Sequence, residues 1–225
     1  MTLTLTKNEA RWGWLYLILH FLAVPVVVAV ICVLMGIWSE TVINNICFFL
    51  NAALAVVFFR RLLARSFENC RGRWKETLWT AAKHFGLYWV LNIAVSLLVT
   101  AIDPEFGNVN DANISAMMAE SPVLMSIAVI FAAPLAEECL FRGWMFTGLA
   151  KKNLPLAYAV TCCAFSAAHV VGYIGSYSPL TLVLCFVQYL GPSYALCRAC
   201  QKNDSLCAPL LMHMVVNAIA CLILG

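Results

Sequence analysis

Charge is what this chain has least of. Only 11% of its 225 residues are Asp, Glu, Lys or Arg, and 63% are hydrophobic. Ordinary soluble domains carry about 25% charged residues, so a soluble globular domain is excluded and a polytopic membrane protein is implied. Low-complexity tracts, domain linkers and internal repeats are also missing. The lack of a repeat weighs against a transporter built from two matching halves. Outside the loops no basic face with interleaved aromatics occurs, which excludes a nucleic-acid partner. The eleven cysteines sit mostly in apolar segments without the even loop spacing of a disulfide framework, and read as small buried hydrophobes. Cys197 and Cys200 form a CxxC near the end of the sixth apolar run, but no second ligand pair accompanies them.

What is present is a series of long apolar runs, at 12–37, 41–59, 78–101, 122–150, 154–172, 179–199 and 206–224. Each approaches the roughly 17–25 residues that cross about 30 Å of hydrocarbon. The expected fold is therefore an all-α bundle of about seven transmembrane helices. The first run is too long for a signal-peptide core and lacks a small-x-small cleavage site, so it reads as a retained span. Basic residues occupy alternate connections: Lys7 and Arg11; Arg60 to Lys75; Lys151 and Lys152; Arg198 and Lys202. The other connections hold Glu40, Asp103, Glu105, Asp111 and Glu120, with no Lys or Arg. The positive-inside rule then puts the N-terminus in the cytoplasm and the C-terminus outside. The 60–76 stretch reads as a basic cytoplasmic loop, and 103–120 as an exposed loop or short interfacial helix.

Against this background one run stands out. Glu137, Glu138 and Arg142 lie inside the fourth apolar segment. Each unpaired charge at a membrane-helix centre costs about 2.5–3.5 kcal/mol on insertion scales, so intramembrane ionisable residues point to function. Positions 138 and 142 are four apart and share a helix face, where they can pair. Glu137 points about 100° away from Glu138 and is spare. A supporting ion pair beside a free acid/base is the expectation.

Three more polar residues sit in later spans: His169 in the fifth, and His213 with Asn217 four residues on in the seventh. A spare carboxylate accepts a proton from water with a histidine holding that water. His213 and Asn217, on one face, donate to the charge developing on a carbonyl oxygen. The same set suits zinc, with Glu137, His169 and His213 as ligands and an open position for water. At 1.5 Å per residue, Glu137 and His169 lie about 20 Å and 22 Å from the cytoplasmic ends of their spans, and His213 about 10–16 Å. Pro134 and Pro209 can shift these depths. His20 and His84 read as packing histidines.

Taken in order, Glu137-Glu138-x-x-x-Arg142, Phe165-x-x-x-His169 and His213-x-x-x-Asn217 resemble the motifs of the CPBP intramembrane proteases. These are relatives of the type II CAAX prenyl endopeptidase and the bacterial Abi proteins. Pro134 before the glutamates and Gly143 after Arg142 sharpen the likeness, and no motif position is substituted. The resemblance divides the chain into N-terminal membrane helices (1–121) and a catalytic core (122–225). It implies an intramembrane endopeptidase acting on membrane-associated or lipidated peptides, in a bacterial plasma membrane. Glu137 would be the catalytic glutamate, with His169 polarising water, His213 and Asn217 at the oxyanion, and Glu138–Arg142 in support.

The family carries both metalloprotease and glutamic-peptidase labels. A metal-independent mechanism is favoured here, because spending Glu137 on zinc leaves no base while Glu138 is held by Arg142. Zinc is the alternative. Rival functions are a proton- or cation-coupled transporter, or a non-catalytic scaffold or immunity factor. The cavity is expected to open toward the cytoplasmic half, since the connection after the glutamate span is cytoplasmic.

Overall fold

The computed structural model describes residues 2–224, and every long element in them is a helix. The helices are α1 (Lys7–Leu34), α2 (Glu40–Cys70), α3 (Trp74–Ile102), α4 (Val109–Glu120), α5 (Pro122–Ala150), α6 (Leu154–Ala168), α7 (Pro179–Asn203) and α8 (Cys207–Leu224). Six of them, α1 to α3 and α5 to α7, are long and apolar enough to cross a membrane, while α8 is a shorter apolar helix. The fold is an all-α membrane bundle, as the apolar runs require.

Local chemistry sets the helix starts. Thr6 and Glu9 form a reciprocal capping box on α1, while Ser39, Asn108, Asn153 and Ser178 cap α2, α4, α6 and α7 with side-chain acceptors. The expected 60–76 loop is mostly helix. Helix α2 continues to Cys70 because Arg60, Arg61 and Arg65 are good helix formers, and only Arg71–Arg73 turn, at Gly72 with φ +77°. In the 103–120 stretch, the helical alternative is the one found, as α4.

Helix α5 is the central element. In its most apolar window 56% is buried, against 6% for α3. Phe141 and Phe146 of α5 pack with Tyr16, Phe59, Leu62 and Phe165 of neighbouring helices. Helix α1 comes close because Gly13 has no side chain: a Cβ there would lie 2.0 Å from the Trp144 indole of α5. That indole donates from Nε1 to Ala10 O at 3.1 Å.

The two ends of the bundle are stitched differently. At the basic end, Asp204 takes a left-handed conformation (φ 53°) and its carboxylate accepts the amides of Thr2 and Leu3. Ser66 and Ser205 bond at 2.9 Å, Asn203 donates to Thr77, and Arg65 pairs with Glu9 at 2.7 Å. At the opposite end, Glu120 accepts from Ser39 and Thr41, and Asn108 donates to Gln188 at 2.7 Å.

Two helices share a backbone device. In each, a π-type stretch, Leu19–Ala23 in α1 and Ala128–Ala132 in α5, is followed two residues on by a proline. The Val24 amide bonds back to Leu19 O, and Pro25 has no N–H, so the carbonyl of His20 is left without a backbone donor. The Ala133 amide bonds to Ala128 O, and Pro134 likewise strands the carbonyl of Val129. An asparagine from another helix fills each gap. Asn51 Nδ2 meets His20 O at 3.5 Å, and Asn217 Nδ2 donates to Val129 O at 2.8 Å.

Candidate active site

A cavity of about 440 Å³ lies beside α5 and is lined by Glu137, His169, His213 and Asn217. Four residues from three separate parts of the chain therefore share one space. Glu138 and Arg142 lie behind it, in a second π-type stretch of α5, Glu138–Phe146.

Arg142 is the largest fully buried side chain of the bundle. Its Nη1 donates to Glu138 Oε1 at 2.9 Å, and its Nη2 donates to Ser193 Oγ at 2.9 Å and Ser193 O at 3.3 Å. The guanidinium stacks over the Phe165 ring, 4.3 Å from its centroid. Glu138 serves two partners, since the same Oε1 lies 2.8 Å from His213 Nδ1. A carboxylate accepts, so Nδ1 is the protonated ring nitrogen of His213.

Glu137 stands outside this cluster. Its Oε2 lies 3.8 Å from His213 Nε2 and has no hydrogen-bond partner among the described residues. His169 follows the last residue of α6 and bonds through Nδ1 to Phe165 O at 2.8 Å. A carbonyl only accepts, so Nδ1 carries the proton and a neutral His169 offers Nε2 as an acceptor. Its ring stacks on Tyr189, with centroids 4.1 Å apart.

Asn217 is partly committed. One of its two amide hydrogens goes to Val129 O, leaving the other available. For His213 to donate from Nε2 as well as Nδ1, it must be an imidazolium. As a neutral ring its Nε2 accepts.

Zinc finds no ready ligand set. Among the described residues no three His, Cys, Asp or Glu side chains are grouped to hold a metal. Cys197 and Cys200 are fully buried packing residues on α7, free of disulfides.

The cavity does not face the basic loops. Its remaining lining includes Asn108, Asn110, Asp111 and Ile114, all at or on α4 at the end of the bundle that holds no Lys or Arg. The expected opening toward the basic, cytoplasmic half is therefore corrected. That end is tied together by the Asp204, Ser205 and Ser66 network, whereas residues of α4 line the cavity at the other. Burial raises the Asp111 carboxyl above its ordinary range, partly offset by the Tyr189 hydroxyl and by nearby His169.

The lining also contains His20 from α1, read above as a packing histidine, and Tyr88 and Asn92 of α3, which lie outside the three motifs. The signal for His20 was a polar residue within an apolar span, five positions before a proline.

Comparison with known families supplies the remaining piece. Residues 119–219 match the family described as type II CAAX prenyl endopeptidase Rce1-like. That is the family the three motifs resemble. The match runs from the end of α4 into α8 and includes every one of the seven motif residues. It supports an intramembrane endopeptidase of the CAAX type in general. No curated protein and no solved structure matches the chain. The Rce1-like segment does not build the cavity alone, because His20, Phe48 and Tyr88 lie outside it.

Proposed function

We propose that this chain hydrolyses peptide bonds of membrane-associated peptides or proteins, using water activated by Glu137. One observation carries the reading. Of the two adjacent glutamates, only Glu138 is hydrogen-bonded to Arg142 and His213, while Glu137 and not Glu138 lines the cavity. Its neighbours suit the task. Glu137 takes a proton from water as His169 Nε2 accepts the other hydrogen, and water attacks the carbonyl carbon. Charge moves to the carbonyl oxygen, where the second amide hydrogen of Asn217 and a protonated His213 Nε2 donate. Glu137 then returns its proton to the leaving amine, so no proton is gained or lost over the cycle.

The division of the chain follows. Residues 122–225 carry the chemistry, and residues 1–121 supply the remaining walls. The working site is a membrane, and a bacterial plasma membrane fits the likeness to Abi proteins. A lipidated substrate is compatible with the apolar lining but is not required by it.

The test is quantitative proteomics of membrane peptides from cells carrying wild-type protein or Glu137→Gln. Substrates should accumulate uncleaved, and their fragments vanish, in the variant. Identical peptide profiles would overturn the hydrolase reading in favour of a scaffold or transporter.

A further inference from the structure

The mechanism above uses two histidines, and the cavity holds a third. His20 lines it together with Glu137, His169 and His213, yet it comes from α1, far outside the matched 119–219 segment. Its position is built rather than incidental. The π-type stretch at Leu19–Ala23 followed by Pro25 strands the His20 carbonyl, and Asn51 of α2 holds it. Tyr16, one turn earlier and fully buried, holds the ring.

The hydrogen bonds fix the tautomer. Tyr16 has a single hydroxyl proton, and it goes to Asn51 O at 3.0 Å, a carbonyl that can only accept. The 3.2 Å contact between Tyr16 Oη and His20 Nδ1 must therefore have the histidine as donor. With Nδ1 protonated, a neutral His20 has a bare Nε2. That nitrogen is the one left for a ligand in the cavity.

We infer that His20 is a further substrate-contacting residue, whose Nε2 accepts a hydrogen bond from a backbone N–H of the bound peptide. The inference rests on the proposed peptidase reading and adds an α1 residue to its site. Peptide backbone is the ligand chemistry that fits. It offers donors at regular spacing, and Asn108 and Asn110 in the lining of the same cavity each keep one amide hydrogen for its carbonyls beyond those given to Gln188 and Tyr189.

The test uses the two amide mimics of imidazole. In His20→Asn the side-chain nitrogen sits near Nδ1 and keeps the donor to Tyr16 but loses the acceptor. In His20→Gln the oxygen reaches the Nε2 position and keeps the acceptor but loses the tether. Cleavage is read on the membrane peptides whose abundance differs between wild type and Glu137→Gln. His20→Gln should retain at least about a third of the wild-type rate, and His20→Asn should lose roughly tenfold or more, with melting temperatures unchanged. The reverse order, or full activity of His20→Asn, means a purely structural histidine and overturns the inference.

Nitrogen-15 NMR of histidine-labelled wild-type protein supplies a second measurement that needs no folded variant at equal yield. His20 Nε2 should give the signal of an unprotonated imidazole nitrogen, and a protonated Nε2 would overturn the assignment. If no peptide depends on Glu137, the peptidase reading itself has failed, an outcome distinct from either result on His20.

Discussion

At the residue scale, two adjacent glutamates occupy opposite environments, and this separates their expected phenotypes. Glu138 is 1% exposed and shared between Arg142 and His213, whereas Glu137 has only the 3.8 Å approach of His213. Glu137→Gln should abolish hydrolysis with yield and melting temperature close to wild type. Glu138→Gln or Arg142→Leu should reduce folded protein, since each strands a buried charge at a cost of about 3–5 kcal/mol. Thermal melts and activity on the same preparations check both. A destabilised Glu137→Gln or a fully stable Arg142→Leu would contradict the division of roles. The metal question is tested at the same scale. With no three His, Cys, Asp or Glu side chains grouped to hold a metal among the described residues, chelation of purified protein should leave cleavage unchanged. Stoichiometric zinc whose removal stops activity and whose return restores it would move Glu137, His169 and His213 into ligand roles.

At the element scale, the backbone of α5, which bears Glu137, departs from regular α-helix twice. The first departure strands the Val129 carbonyl, and Asn217 of α8 answers it. Asn217 is thus a helix-to-helix tie as well as a site residue. Losing the tie by Asn217→Ala should destabilise by about 1–3 kcal/mol, the usual cost of an unpaired buried acceptor. Pro134→Ala restores an amide near that carbonyl, so the double variant should lose less than the sum of the two single changes. A double-mutant cycle on melting in detergent measures this coupling, and strict additivity would refute it. Helix α1 has its own requirement. Gly13→Ala drives a methyl into Trp144, and a lower melting temperature follows from the 2.0 Å approach.

At the scale of the whole molecule, charge is sorted by end. Every Lys and Arg except Arg142 lies toward one end of the bundle, and the other end holds Glu40, Asp103, Glu105, Asp111 and Glu120. Accessibility of single cysteines to impermeant reagents should place 62–75 and 151–153 in the cytoplasm and 103–120 outside. The cavity, lined by Asn108 to Ile114, would then receive its substrate from the non-cytoplasmic half. Labelling of 103–120 from the cytoplasm would reverse both orientation and access.

Much of this protein was written in its sequence, for a physical reason. Helices are the only elements that satisfy their own backbone in lipid, so apolar runs of membrane length gave the all-α bundle directly. The four-residue spacing of Glu138 and Arg142 put them within reach of each other before any tertiary contact was known. Other features depended on contacts between distant positions, which no local pattern encodes. His213 and Glu138 are 75 residues apart, and only packing of α8 on α5 joins them. The side on which the cavity lies was misread because a loop's charge reports which compartment it faces, while the space between helices depends on where they splay. His20 looked like packing because its neighbours in sequence are apolar, and only the fold of α1 against α2 and α5 turned it toward Glu137.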